Sequence, residues 1–117
     1  MAAGLYDFTI EQGATFVRSF VWKASEGTPV NLTACTARMQ VRQSYSADDI
    51  LLNATTENGR LQISGPDGKV TLFLPADVTA AIAWRRGRYD LEIVAPDGTV
   101  TRLLEGQITV SKEITRG

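Results

Sequence analysis

The sequence predicts an all-β chain, an immunoglobulin-like antiparallel β-sandwich with one short helix. Three observations predict it. Short stretches of alternating apolar and polar residues recur at about 8–12-residue spacing. Turn-forming clusters separate them, two of the form Pro-Asp-Gly, at 66–68 and 96–98. Only one window repeats its apolar residues at helical spacing. At 117 residues the chain is expected to form a single domain, 1–117, long enough to bury a core without a metal or disulfide staple.

The elements follow in order. Leu5 to Glu11 alternates, with Tyr6, Phe8 and Ile10 on one face, so a strand is predicted there. Gln12-Gly13 breaks it. Ala14 to Lys23 is rich in β-branched and aromatic residues. Phe16, Arg18, Phe20 and Trp22 share one face, and the valines opposite predict a strand covered partly on each side. After the polar turn Ser25–Pro29 comes a short extended link, Val30–Thr36, in which Cys35 is expected to be buried and inert. Ala37, Met39 and Val41 then alternate with Arg38, Gln40 and Arg42, a strand with a basic outer face. Ile50–Ala54 is a short strand ended by Glu57-Asn58-Gly59.

Leu61–Ile63 and Lys69–Leu74 form a hairpin about Gly65-Pro66-Asp67-Gly68, and Pro75 stops its second strand because proline has no N–H to donate. Ala76–Ala83 is the helical window, with Asp77 as expected cap and Val78, Ala81 and Ile82 at helical spacing. It is short enough to cross between sheets. Trp84 and Tyr89 fall at core positions, with Arg85 to Arg88 read as a loop between them. Tyr89, Leu91 and Ile93 point inward on the next strand. The turn at Pro96-Asp97-Gly98 leads into Val100–Glu105, a bend at Gly106, and Ile108 and Val110. Residues 111–117 are polar and expected to form a flexible tail.

Composition excludes several functions. There is no histidine and a single cysteine. That removes Ser-His and Cys-His nucleophile pairs, most zinc sites and any internal disulfide. Net charge is −1, from 12 basic and 13 acidic residues, so the basic excess of a nucleic-acid binder is missing. The first ten residues lack the basic and apolar regions of a signal peptide, and no apolar run is long enough for a transmembrane helix. The expectation is a protein made in a cytoplasm, binding neither nucleic acid nor membrane.

Few residues are candidates for chemistry. Asp48-Asp49 with Asn53 lacks the ligand spacing and glycine of a calcium loop. Glu92 and Glu105 could face each other across the last hairpin, but on regular strands such carboxylates meet solvent. No enzyme and no cofactor is therefore expected. Trp84-Arg85-Arg86-Gly87-Arg88-Tyr89 mixes aromatic and basic residues, as single-strand nucleic-acid sites do. Because Trp84 and Tyr89 fall at core positions, the arginines read better as a solvated loop or a protein contact. Arg85, Arg86 and Arg88 are the candidate partner-binding residues.

The order of landmarks resembles a known group. "YDFTIEQGATF" is followed by "GTPVNLT", "ARMQVR", "LLNATTENGRLQI", "GKVTLFLPADVTAAI" and "GRYDLEIVAPDGTVTRLLEGQITVSKEITR". This resembles the small proteins encoded among the tail and structural genes of tailed phages and prophages. It is also similar to the N-terminal domain of the siphophage baseplate upper protein. The similarity runs from Tyr6 to Arg116 and is most specific at Gly87–Val110, then at "IEQGATF".

The resemblance implies a non-enzymatic structural virion protein made in the bacterial host cytoplasm. It would be a tail, baseplate, collar or fibre-attachment component that contacts other virion proteins, in several copies forming a symmetric ring. No fibre or coiled-coil extension is expected after the domain, and on that expectation a linking or decorating role is favoured. The alternatives are a capsid decoration protein and a carbohydrate-binding sandwich.

Overall fold

The computed structural model describes residues 3–116, which form an all-β sandwich with one short helix. The strands are β1 (Gly4–Leu5), β2 (Phe8–Glu11), β3 (Phe16–Val21), β4 (Thr36–Arg42), β5 (Leu52–Thr55), β6 (Leu61–Ser64), β7 (Lys69–Leu74), β8 (Arg86–Val94) and β9 (Val100–Ser111). The helix, α1, is Ala76–Ala80. The larger sheet has the order β1-β9-β8-β4-β5, with β2 also on β9, and the smaller has β3-β7-β6. Helix α1 carries the chain from the smaller sheet to the larger, as expected of a crossing element.

Alternation determines which faces meet. Ala37, Met39 and Val41 of β4, Val70, Leu72 and Leu74 of β7, and Tyr89, Leu91 and Ile93 of β8 are all buried. Period-2 side chains on two sheets give one shared core. Phe8 sits among the aromatics, its ring 5.4 Å from that of Phe16 and 5.2 Å from that of Tyr89. The Tyr89 hydroxyl donates to the Tyr6 carbonyl at 2.6 Å, and burial pushes its pKa well above the ordinary tyrosine range.

The sandwich is not wholly antiparallel. β1 and β2 run parallel to β9, with Leu5 opposite Glu105 and Phe8 opposite Ile108. The single strand expected over Leu5–Glu11 is interrupted at Tyr6-Asp7, yet the register is the same on both sides. At the break the Asp7 carboxylate accepts the Gln107 N–H at 2.8 Å, a bond the backbone would otherwise supply. Gly106 lies under this crossing, and a Cβ there would overlap the Tyr6 carbonyl. Gly106 therefore marks a close approach and not a bend, and β9 runs unbroken through it.

The irregularity in β9 lies earlier. Leu91 faces Leu104 while Glu92 faces Arg102, so Leu103 is the extra residue of a bulge. The bulge switches the inward phase from Thr101 to Leu104, Gly106, Ile108 and Val110. The adjacent leucines 103 and 104 are its mark in the sequence.

Other expectations are corrected. The α1 N-cap is Pro75, and Asp77 lies exposed in the first turn without capping it. The residue that anchors α1 is Thr79, fully buried, whose hydroxyl donates to the Ala14 carbonyl at 2.8 Å and accepts the Gly13 N–H at 3.1 Å. β5 begins at Leu52 rather than Ile50, which is exposed. Trp22, Trp84 and Cys35 are half-buried at the rim of the core. β3 is an edge strand, so the faces of Val17 and Val21 are uncovered, at 57% and 48% exposure. Of the expected tail, Ser111 still belongs to β9, and the Glu113 N–H donates to the Gln12 side chain at 2.9 Å. Gly117 lies outside the described residues.

Candidate partner-binding surface

The outward residues of β4, β8 and β9 follow from the same alternation that fills the core. Register sets them in rows across the larger sheet. Arg42, Arg88 and Gln107 form one row, Gln40, Asp90 and Glu105 the next, and Arg38, Glu92 and Arg102 a third. All of these but Gln107 line a groove of about 480 Å³ together with Tyr45 from the 43–48 loop.

The expected arginine loop is corrected here. Arg86 and Arg88 belong to β8, opposite Thr109 and Gln107, and only Arg85 precedes the strand. The strand start is obscured by Gly87, which fills an inward position where an apolar side chain would normally show the alternation. Gly87 is there because a Cβ would come 2.5 Å from Val41 Cγ1. Arg85 is exposed, and its carbonyl accepts the Val110 N–H at 2.8 Å. Arg86 is exposed on the outer face. Among the three, the structure brings only Arg88 into the groove.

Arg88 is held by Tyr45. Its Nη2 donates to the Tyr45 hydroxyl at 2.6 Å, and its guanidinium carbon lies 5.0 Å from the Tyr45 ring centroid. Its Nε is buried and has no hydrogen-bond partner among the described residues. Arg42 shapes the same loop, donating to the carbonyls of Ala47 and Asp48, each at 2.9 Å, and to Gln40 Oε1 at 2.8 Å. Two like charges therefore sit side by side because each guanidinium is occupied by loop acceptors. Tyr45 itself is 76% exposed. Sequence reasoning misses it because a tyrosine in a loop has no periodicity to place it.

The remaining rows are ion-paired. Arg38 Nε lies 2.8 Å from Glu92 Oε1, and Arg102 Nε lies 3.3 Å from Asp90 Oδ2. Glu92 and Glu105, set aside as a facing carboxylate pair, are not opposite one another: Glu92 faces Arg102. The Leu103 bulge sets Glu105 opposite Asp90 instead. Burial pushes the Asp90 carboxyl above the usual carboxylate range, and Glu92 and Glu105 add to this against Arg102 and Arg38. Two acids set opposite each other across strands weaken a sheet, and the Arg102 guanidinium beside Asp90 offsets part of that repulsion.

Among the described residues no cluster of histidine, cysteine and acidic side chains could hold a metal ion. Among the same residues no helix is long and apolar enough to cross a membrane. The groove offers fixed guanidinium and amide donors, carboxylate acceptors and one exposed ring, a set suited to contact with another macromolecule. No protein-family model matches the chain, and no curated protein does either.

Proposed function

We propose that the chain is a non-enzymatic structural protein of a tailed-phage virion, a tail, baseplate, collar or fibre-attachment component that works through protein–protein contacts. Three features support this reading. The landmark motifs resemble those of phage tail-module proteins. The strand order, β3-β7-β6 in one sheet and β9-β8-β4-β5 in the other, supports an immunoglobulin-like reading in which they take the places of B, E and D and of G, F, C and C′. The observation that carries most weight is Tyr45 stacked on Arg88 at the mouth of the polar groove. Tyrosine and arginine, with tryptophan, are enriched among the residues that carry protein interfaces.

In this reading the outer face of the larger sheet receives a neighbouring virion protein, and Arg86 extends the contact along β8. Copies repeat about the symmetry axis of the particle. The test is mass spectrometry and density mapping of purified particles, which should contain the chain at stoichiometric, symmetric occupancy. Its absence from intact particles overturns the proposal. Combined Tyr45→Ala and Arg86→Ala should leave the melting temperature within a few degrees of wild type, because both are exposed. Incorporation should weaken by about 1–3 kcal/mol if either residue is central to the interface.

A further inference from the structure

We infer that the free edge of β3 is a self-pairing edge, through which two copies of this chain join their smaller sheets into one continuous sheet. The inference goes beyond the virion reading and does not depend on it. β3 pairs with β7 on one side only. The bond from Trp22 N–H to the Gly68 carbonyl at 2.8 Å fixes which residues of β3 point toward β7. By the antiparallel alternation these are Phe16, Arg18 and Phe20. Val17, Ser19 and Val21 therefore aim their N–H and C=O groups away from the sheet, and nothing among the described residues pairs with them. The N-terminal strands that could have covered this edge lie on β9 instead.

The usual guards of an edge are missing or engaged elsewhere. No proline, lysine or bulge interrupts Phe16–Val21. The one charge, Arg18, turns inward. Its guanidinium lies over the rings of Tyr6, Phe8 and Phe16 and donates to the Tyr6 hydroxyl. It closes the open side of the core rather than repelling a strand. A groove of about 210 Å³ lies between the start of β3 and β2.

The occupant is identified by the symmetry of the edge itself. The run Val17-Arg18-Ser19-Phe20-Val21 is self-complementary about Ser19. In antiparallel pairing centred there, Ser19 meets the second copy's Ser19, and each of Val17, Ser19 and Val21 donates one backbone bond and accepts one. Val17 meets the second copy's Val21 on the outer face. Arg18 meets the second copy's Phe20, a cation–π partner. A slip toward the N-terminus would bring Arg18 against Arg18. A slip the other way would set Val17 against the second copy's Lys23. Of these three registers, only the one centred on Ser19 avoids both the Arg18–Arg18 contact and the Val17–Lys23 mismatch. An interface one strand long is small, so the association should be weak and dependent on concentration.

Sedimentation velocity of the purified chain from micromolar to millimolar concentration tests this, with thermal melts run on every variant. The wild type should shift reversibly from monomer to dimer. Ser19→Pro should stay monomeric and folded, because the N–H it removes is outside the β7 ladder. V17K/V21K should also stay monomeric, since each introduced lysine would face another. V17K/V21E should dimerise again, because the register sets the introduced lysine of one copy against the introduced glutamate of the other. A wild type that is monomeric at millimolar concentration overturns the proposal, including the case where only a different protein adds to this edge. Dimers that persist in both Ser19→Pro and V17K/V21K also overturn it. Failure of V17K/V21E to dimerise overturns the register.

Discussion

Two of the sheet edges, β3 and β5, are treated in opposite ways. In β5 the pairing with β4 leaves the Asn53 carbonyl and the Thr55 N–H pointing outward. Both are sealed by side chains from the turn that follows. Asn58 Nδ2 and Arg60 Nη1 each donate to the Asn53 carbonyl at 3.0 Å, and the Thr55 N–H donates to Asn58 Oδ1 at 3.0 Å. In β3 the outward groups of Val17, Ser19 and Val21 have no such side chains, and two of these three residues are exposed valines. An unpaired edge invites another strand unless something satisfies it first. The chain partly seals the β5 edge with its own side chains and leaves the β3 edge unsealed, the difference on which the proposed self-pairing rests.

Damage to the strand behind the open edge should have the largest effect. Leu72 of β7 is fully buried, opposite Arg18 in β3 and Leu61 in β6. Leu72→Ala should cost about 2–5 kcal/mol, read by urea denaturation, and should lose the β3 edge together with the fold. A loss below about 1 kcal/mol would mean that β7 is not the shared backing of that sheet.

A smaller change unseals the other edge. Asn58→Ala removes acceptors for Thr55 and Arg60 N–H and a donor to Asn53. At about 0.5–1.5 kcal/mol for a net hydrogen bond, and with these groups exposed to water, the cost should be about 1 kcal/mol. Light scattering should also show new association that Ser19→Pro does not suppress. A variant that remains as monodisperse as wild type would show that the asparagine seal does not guard β5.

The smallest effect is on the face between the edges. The folded pKa of Asp90 is raised, so its ionisation opposes folding. Wild-type stability from this group is full below the ordinary aspartate value of 3.8 and falls as pH rises through the folded value. Asp90→Asn should therefore be slightly more stable than wild type at pH 7, with the difference vanishing near pH 3, although it gives up the Arg102 pair. Chemical denaturation at both pH values checks the sign, and neither edge should respond. A variant less stable at pH 7 would mean that Arg102 outweighs burial and the two acids beside Asp90.

Much of the fold is legible in the sequence. The strands around Met39, Leu72 and Leu91 each expose one clean alternation, and both Pro-Asp-Gly turns sit where the pattern places them, their glycines at positive φ. The candidate surface is legible only in part. Gly87 carries no apolar side chain to extend the alternation, so two strand arginines read as loop. The bulge at Leu103 moves Glu105 next to Asp90, and a one-residue phase change leaves only a pair of adjacent leucines as its trace. Tyr45 and Thr79 depend on partners 43 and 65 residues away, which no local pattern reports.

By itself the sequence determined the class of fold, the inward face of most strands and the absence of histidine chemistry. These follow from local periodicity and composition, which need no knowledge of neighbours. Tertiary structure alone decided that β1 and β2 run parallel to β9, that β5 is sealed while β3 is open, and that Arg88 rests on Tyr45. Each of these depends on which backbone groups are left over once the sheets have paired, and pairing between distant segments is set by the packing of the whole core.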